Sequence, residues 1–507
     1  MQYERLTTSR DGERGIPRSI RALSLAALLV ALPGCKVGPN YTRPTTAMPV
    51  SFAEPHAVAV PSTQPDGGPE AFWWERFNDA ELNSLVRRAV VANNSIKVAS
   101  ARVQQARAAR EIAQSLLYPQ VDVGASAFRF RGSQSVLGLQ NLGTDGSFLQ
   151  AGFDAAWTLD LFGGTRRLIE SARADEEATD AERRGVTLML AGETARAYIE
   201  LRGAQRQLAV AHTTFDEQQQ TLSVTQEKHQ NGLASQLEVV RARTEVEATA
   251  SEIPPIEQAI RQYIHVLSTL LSQEPTALSE ELSPVVPVPS TTLDVAVGVP
   301  SDLLRRRPDI QQAERHLAAS TAMVGVATAE LLPHMVLGGG AGVSARHAGD
   351  LFNGNSSKDS STYYLAGPAI NWTIFDAGRR KAGVKMSEAE VDAAKAAYTD
   401  TVLNAFREVE SSLVAVDRSR ERVADLKRLS ASAREGVTIA QRDYRNGILD
   451  QLTVLDAQRQ SSRADMLLAQ GEVALSVNTV ALYKALGGGW EVAEPQASSN
   501  HQKENNQ

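Results

Sequence analysis

The feature that most constrains this chain is that it repeats itself. Leu116-Leu117-Tyr118-Pro119 is answered by Leu331-Leu332-Pro333. Phe162 with Arg166-Arg167 is answered by Phe375 with Arg379-Arg380. Asn231-Gly232, followed by Leu237 and Val239, is answered by Asn446-Gly447, followed by Leu452 and Val454. The three pairs occur in the same order at an offset of 213 to 215 residues. One such coincidence carries little; three in order indicate an internal duplication. Whatever the first half folds into, the second half folds into again.

Each half reads helix, strand, strand, helix, helix. In the first, Asp79 to Leu117 is helical in pattern and stops before Pro119. Val121, Val123, Ala125 and Ala127 alternate with polar or small residues, as do Phe153, Ala155, Trp157 and Leu159. In the second half Met335 to Val343 and Tyr364 to Thr373 occupy the same places. Each strand is about the ten residues that a tilted barrel strand needs to cross a bilayer. Gly338-Gly339-Gly340 is not a phosphate cradle, because that use needs a helix N-terminus directly after it and here more strand is expected.

The helices after the strands are far longer than globular ones. No proline occurs from Arg166 to Gln230 or from Arg379 to Asn446. A continuous helix over either run would be roughly 100 Å long at 1.5 Å per residue. Val402, Phe406, Val409, Leu413 and Val416, spaced 4-3-4-3, predict a coiled-coil seam. Each Asn-Gly pair predicts a helix stop, followed by a second helix over 235–272 or 451–486. Helices this long cannot bury themselves in a compact core, and two strands per half cannot close a barrel. Oligomerisation solves both: four strands per chain in three chains make a barrel of twelve.

Composition narrows the class. Hydrophobic residues are 42% and charged residues 22% of the 507, which excludes both a helical membrane protein and a disordered one. No run after residue 35 approaches the roughly 20 apolar residues of a spanning helix, so a membrane crossing here means a closed β-barrel. A net charge of −7 without a long basic run argues against a nucleic-acid partner. The eight histidines are scattered without metal-ligand spacing, and no nucleophile or nucleotide motif is present. Glu408 and Glu410 read as charged helix surface.

The single cysteine sits in a telling place. Arg14, Arg18 and Arg21 precede an apolar run from Ala22 to Leu32, as in an export signal. Leu32-Pro33-Gly34-Cys35 then resembles a bacterial lipobox, with Pro33 departing from the usual small residue. The resemblance implies cleavage before Cys35, then diacylglycerol and N-acyl chains on that residue. Lys36, in place of an aspartate, implies sorting to the outer membrane. No other cofactor is expected.

The sequence as a whole resembles the TolC-like outer-membrane efflux proteins, in the lipoprotein branch serving resistance–nodulation–division pumps. Carrying residues are Cys35-Lys36-Val37-Gly38-Pro39-Asn40-Tyr41 with Pro44; Trp73-Trp74, Phe77, Asp79 and Leu82; Leu303-Leu304-Arg305-Arg306-Arg307-Pro308-Asp309-Ile310 with Ala313-Glu314; Tyr444-Arg445-Asn446-Gly447; and Leu455-Asp456-Ala457-Gln458. It implies an α+β membrane protein: a homotrimer with a shared twelve-stranded β-barrel continued by a long α-helical coiled-coil barrel. Six segments are expected: 1–34 a signal peptide, 35–70 a lipidated, proline-rich tether, 71–274 the first repeat, 275–300 a linker, 301–486 the second repeat, and 487–507 a disordered tail. The implied function is that of a passive exit duct for drugs or other small toxic compounds, with no covalent chemistry. Its partners would be a periplasmic adaptor, an inner-membrane transporter and outer-membrane lipid. Two alternatives stay open here: the channel of a type I protein secretion system, and a periplasmic coiled-coil scaffold without a pore.

The resemblance also implies a periplasmic gate. Tyr444, Leu452 and Asp456 match the positions that narrow it, and Glu238, at the equivalent first-half turn, is expected to accept a hydrogen bond from Tyr444. Leu452 and Asp456 are four apart and so share a helix face; in a trimer each becomes a ring of three. Thr453 stands where some relatives carry a second acidic residue, and Leu449 where some carry an arginine.

Overall fold

A computed structural model of the chain describes residues 36–45, 59–60, 71–130, 146–290, 295–296, 304–345 and 360–491. Cys35 and the export signal lie outside the described residues. The duplication is visible in the element lengths. The first repeat runs α1 (Ala80–Ala92), α2 (Asn94–Ser115), β1 (Gln120–Phe130), β2 (Gly146–Leu159), α3 (Gly164–Gln230) and α4 (Gln236–Leu270). The second runs α5 (Pro308–Ala329), β3 (His334–Ala345), β4 (Ser360–Asn371), α6 (Arg379–Arg445) and α7 (Gln451–Ala485). Helices α3 and α6 have 67 residues each, and α4 and α7 have 35 each. Among the described residues no helix is long and apolar enough to cross a membrane.

Two compact units divide the chain. The first holds residues 1–40, 113–169 and 322–387, and the second holds 41–112, 170–321 and 388–507. The first unit is built on one four-stranded sheet in the order β1-β2-β3-β4, antiparallel throughout. Gly338 to Gly340 lie inside β3. Trp157 Nε1 donates to the Leu117 carbonyl (2.9 Å) and Trp372 Nε1 to the Leu331 carbonyl (3.2 Å), so an equivalent indole ties the strand end to the preceding turn in each repeat.

The second unit has its core where short and long helices meet. Trp73 and Trp74, in a short 3-10 turn, are buried, and Trp73 stacks on Tyr483 with ring centres 5.3 Å apart. Asp79 caps α1 by accepting the Leu82 N–H (2.9 Å) and also receives the Tyr198 hydroxyl (2.9 Å). Arg307, buried, makes a bidentate pair with Asp309, reaches Glu408 (2.8 Å) and donates to the Ala485 carbonyl (3.0 Å). The Arg-Pro-Asp run is thus a brace between the start of α5, the middle of α6 and the end of α7. Glu408, expected as plain helix surface, is one of its partners.

Several expectations are corrected. The helix expected from Asp79 to Leu117 is broken at Asn93, whose extended backbone (φ −62°, ψ 132°) lets its amide donate to the Leu270 carbonyl while its oxygen accepts the Ser95 N–H (both 2.7 Å). In the seam on α6, Val402, Val409, Leu413 and Val416 are buried but Phe406 is only half-buried; Ala405, 1% exposed, takes its place. The linker is packed in part: Leu278 and Leu282 are buried, and Arg202 donates to the Pro284 carbonyl (2.7 Å). The tail does not begin at 487, because Gly487 and Gly489 take positive φ and lie against Arg307 and Trp73; residues 492–507 lie outside the described ones. Within the expected tether, Val37 to Asn40 are held by the Arg167 guanidinium.

Candidate functional site

The sheet has two chemically different faces, fixed by its register. Val121 pairs Ala155, Val123 pairs Phe153, and Phe153 pairs Ala341, which pairs Tyr364. Trp157 pairs Leu337, and Met335 pairs Ile370. This face is apolar and open: Val123 is 74%, Phe153 60% and Tyr364 89% exposed. The opposite face runs in polar or glycine-bearing rows. Asp122, Asp154, Gly340 and Leu365 form one; Gly124, Gly152, Gly342 and Tyr363 the next; Ser126, Gln150 and Ser344 the third. Tyr363 lies flat on this face. Its hydroxyl receives Gln150 Nε2 at 2.5 Å, and a methyl group at Gly152 or Gly342 would stand 2.7 or 2.8 Å from that oxygen. Apolar on one side, polar and small on the other, is the pattern of a barrel wall between lipid and a watery lumen.

The hairpin turns that end the long helices form the second part of the site. Both are Schellman stops. Gly232 (φ +74°) donates to His229 O and Leu233 to Lys228 O; Gly447 (φ +70°) donates to Tyr444 O and Ile448 to Asp443 O. Glycine is favoured there because the left-handed conformation costs a Cβ-bearing residue more than it costs glycine. Each following helix is capped by a side chain. Ser235 and Glu238 form a reciprocal capping box on α4, and Asp450 accepts the Thr453 N–H (3.0 Å) and hydroxyl (2.6 Å) on α7. These bonds pull the Asp450 carboxyl below its ordinary range.

The expected gate residues are found at these turns. Leu452, in the first turn of α7, is 48% exposed, and its counterpart Leu237 on α4 is 56% exposed. The Tyr444 ring carries the Lys228 ammonium 3.7 Å from its centre. Glu238 does not take the expected role: among the described residues its carboxylate accepts the Ser235 N–H at 2.5 Å, closing its own helix cap instead of meeting Tyr444. Asp456 is not an isolated charge, since Arg459 approaches it at 3.3 Å and Gln460 donates to it at 2.7 Å.

A polar seam that was not among the expectations lies behind the turn. Gln451 and Gln458, both buried, donate to Thr225 and Thr221 of α3, the latter at 3.1 Å, and Thr214 donates to Ser462 at 3.1 Å. The heptad spacing of Gln451 and Gln458, matched by Thr214 and Thr221, is the signal that could have revealed it.

The profile described as "Outer membrane efflux protein" matches residues 85–272 and 299–488, most of both repeats. The chain belongs to the outer membrane efflux protein family. The "Probable efflux pump outer membrane protein TtgC" of Pseudomonas putida is 30% identical over 477 residues, covering 94% of this chain and 97% of the relative. "Outer membrane protein OprJ" of Pseudomonas aeruginosa is 32% identical over 475 residues, covering 93% and 96%. The solved outer-membrane channel OprN superposes with a TM-score of 0.82 at 36% identity, covering 90% of this chain and all of that one. This member of the outer membrane efflux protein family therefore has the TolC-like fold. It is an outer-membrane efflux channel of a Gram-negative bacterium, reaching into the periplasm.

Proposed function

We propose that three copies of this chain close one pore, and that the pore is the passive exit duct of a tripartite pump expelling small toxic compounds. The observation that carries the reading is the sheet. It has one apolar and one polar face, and among the described residues its outer strands β1 and β4 each leave one edge unpaired. Unpaired edges are not tolerated in lipid, and four strands are too few to close on themselves. Joining β1 of one copy to β4 of the next in a threefold ring pairs every edge and makes a barrel of twelve strands. The long helices then line the periplasmic part of the duct.

The tip of that helical part is the gate. Leu452 contributes a ring that excludes water by dewetting, and Asp456 a ring that sets a preference for cations, tempered by Arg459. Tyr444 fastens the turn through Lys228, and Glu238 rigidifies the neighbouring turn through its cap. The duct does no covalent chemistry and needs no cofactor. Acyl chains on Cys35 add a membrane anchor, too weak alone and sufficient beside the barrel. The exposed Leu233 and Ile448 of the hairpin tips offer apolar contacts to a periplasmic adaptor, which links the duct to an inner-membrane resistance–nodulation–division transporter.

Light scattering in mild detergent tests the assembly. The protein component should have about three times the mass of the processed chain, which is itself below the 54.6 kDa of all 507 residues; a folded monomer would refute the shared barrel.

A further inference from the structure

The buried Arg167 has no part in wall or gate. It stands in the first turn of α3, yet is 1% exposed, an unusual setting for a permanent cation. Its guanidinium grips the N-terminal strap: Nε donates to the Val37 carbonyl (3.0 Å), and Nη2 to the Gly38 carbonyl (3.2 Å) and to Asn40 Oδ1 (2.8 Å). The Val37 N–H donates in turn to the Phe162 carbonyl (3.1 Å).

Three glycines make the fit possible. A methyl at Gly325 would stand 2.7 to 2.9 Å from Cγ, Cδ and Nε of Arg167. One at Gly38 (φ +84°) would strike the Gly325 Cα at 2.4 Å, and one at Gly163 (φ +79°) would meet the Lys36 Cα at 2.8 Å. A loose tether would need none of this. The strap also has a definite address. Gly163 follows closely on Leu159, the last residue of β2, at the end of the strand away from the 131–145 connection. Cys35 directly precedes Lys36 in the sequence.

We propose that Arg167 and Gly325 form a socket for the strap, one that fixes where the lipid on Cys35 enters the membrane: at the foot of β2, in the periplasmic leaflet. Arg167 is a positioning residue for the anchor and plays no part in its attachment. The lipid part of this inference rests on the proposed acylation of Cys35; the socket itself does not.

Limited trypsin digestion of the palmitate-labelled full-length protein in mild detergent tests it. Within the strap, Lys36–Val37 is the bond open to trypsin, since Arg43 precedes Pro44. In the wild type the docked strap should resist cutting. Arg167→Met should retain the label, then lose it to a small fragment at least about a hundredfold faster, as expected when two or more hydrogen bonds to a charged group vanish. Gly325→Val, which fills the bay of the Arg167 side chain, should do the same, and Arg167→Lys should fall between. Should Arg167→Met fail to fold, Asn40→Ala probes the socket from the strap side. Mass spectrometry detects a body beginning at Val37 whether or not lipid is present. Wild-type and variant straps cut at the same rate overturn the socket. A wild type without label, but with Lys36–Val37 protected, overturns the acylation and leaves the socket standing.

Discussion

Lys228 and Tyr444 close the ends of the two 67-residue helices upon each other, the ammonium of one 3.7 Å from the ring centre of the other. The repeats thus meet at their turns through a cation and an aromatic face, with the Glu238 carboxylate turned back onto its own helix.

A contact of this kind in a half-exposed setting contributes about 0.5–1 kcal/mol. Lys228→Gln should therefore raise the open probability of the reconstituted channel by about two- to fivefold. Glu238→Gln should change it less, because an amide oxygen still accepts the Ser235 N–H. An open probability that responds to Glu238 and ignores Lys228 would reverse the assignment.

The repeat, the strands, the two long helices and both turns were legible because each rests on local chemistry: periodicity, the absence of proline, and glycine at a left-handed position. Other features depend on partners remote in sequence. Asn93 breaks its helix to reach Leu270, 177 residues away, and Arg167 lies about 130 residues from the strap it holds. Glu238 is a partial case. Ser235-x-x-Glu238 has the spacing of a capping box, a local signal that competes with the Tyr444 partner expected of Glu238. Gln458 likewise meets Thr221 237 residues away, in the other repeat.

That Thr221–Gln458 bond makes a second prediction. The Gln458 amide is buried, and among the described residues its Oε1 has no protein partner. Gln458→Ala should lower the unfolding free energy by about 1–3 kcal/mol, through loss of the bond and the space left behind. Gln458→Leu with Thr221→Val removes both polar partners and should be neutral or stabilising. Thermal unfolding in detergent would check the pair; a double variant weaker than the single would show that the seam is worth more than its hydrocarbon replacement.

The caps make the gate sensitive to acid. Hydrogen bonds from Thr453 lower the Asp450 carboxyl below its ordinary value. A depressed carboxylate contributes stability that is complete above its unfolded-state value and is lost as pH falls through the lower, folded value. Amide exchange at Thr453, corrected for the intrinsic effect of pH, should accelerate over that acid range. Asp450→Asn, which still caps but does not titrate, should abolish the change. Equal acid sensitivity in the two proteins would remove Asp450 from the explanation.

Single-channel recording in planar bilayers tests the gated duct most directly, because it reads pore and constriction together. Leu452→Ala should raise conductance over the wild type by removing the dewetted ring. Asp456→Ala should leave conductance nearly as it was and move the reversal potential in a salt gradient toward anions, by less than an unpaired aspartate would cause, since Arg459 lies beside it. Conductance unchanged by Leu452→Ala, together with selectivity unchanged by Asp456→Ala, would contradict a gate at this turn.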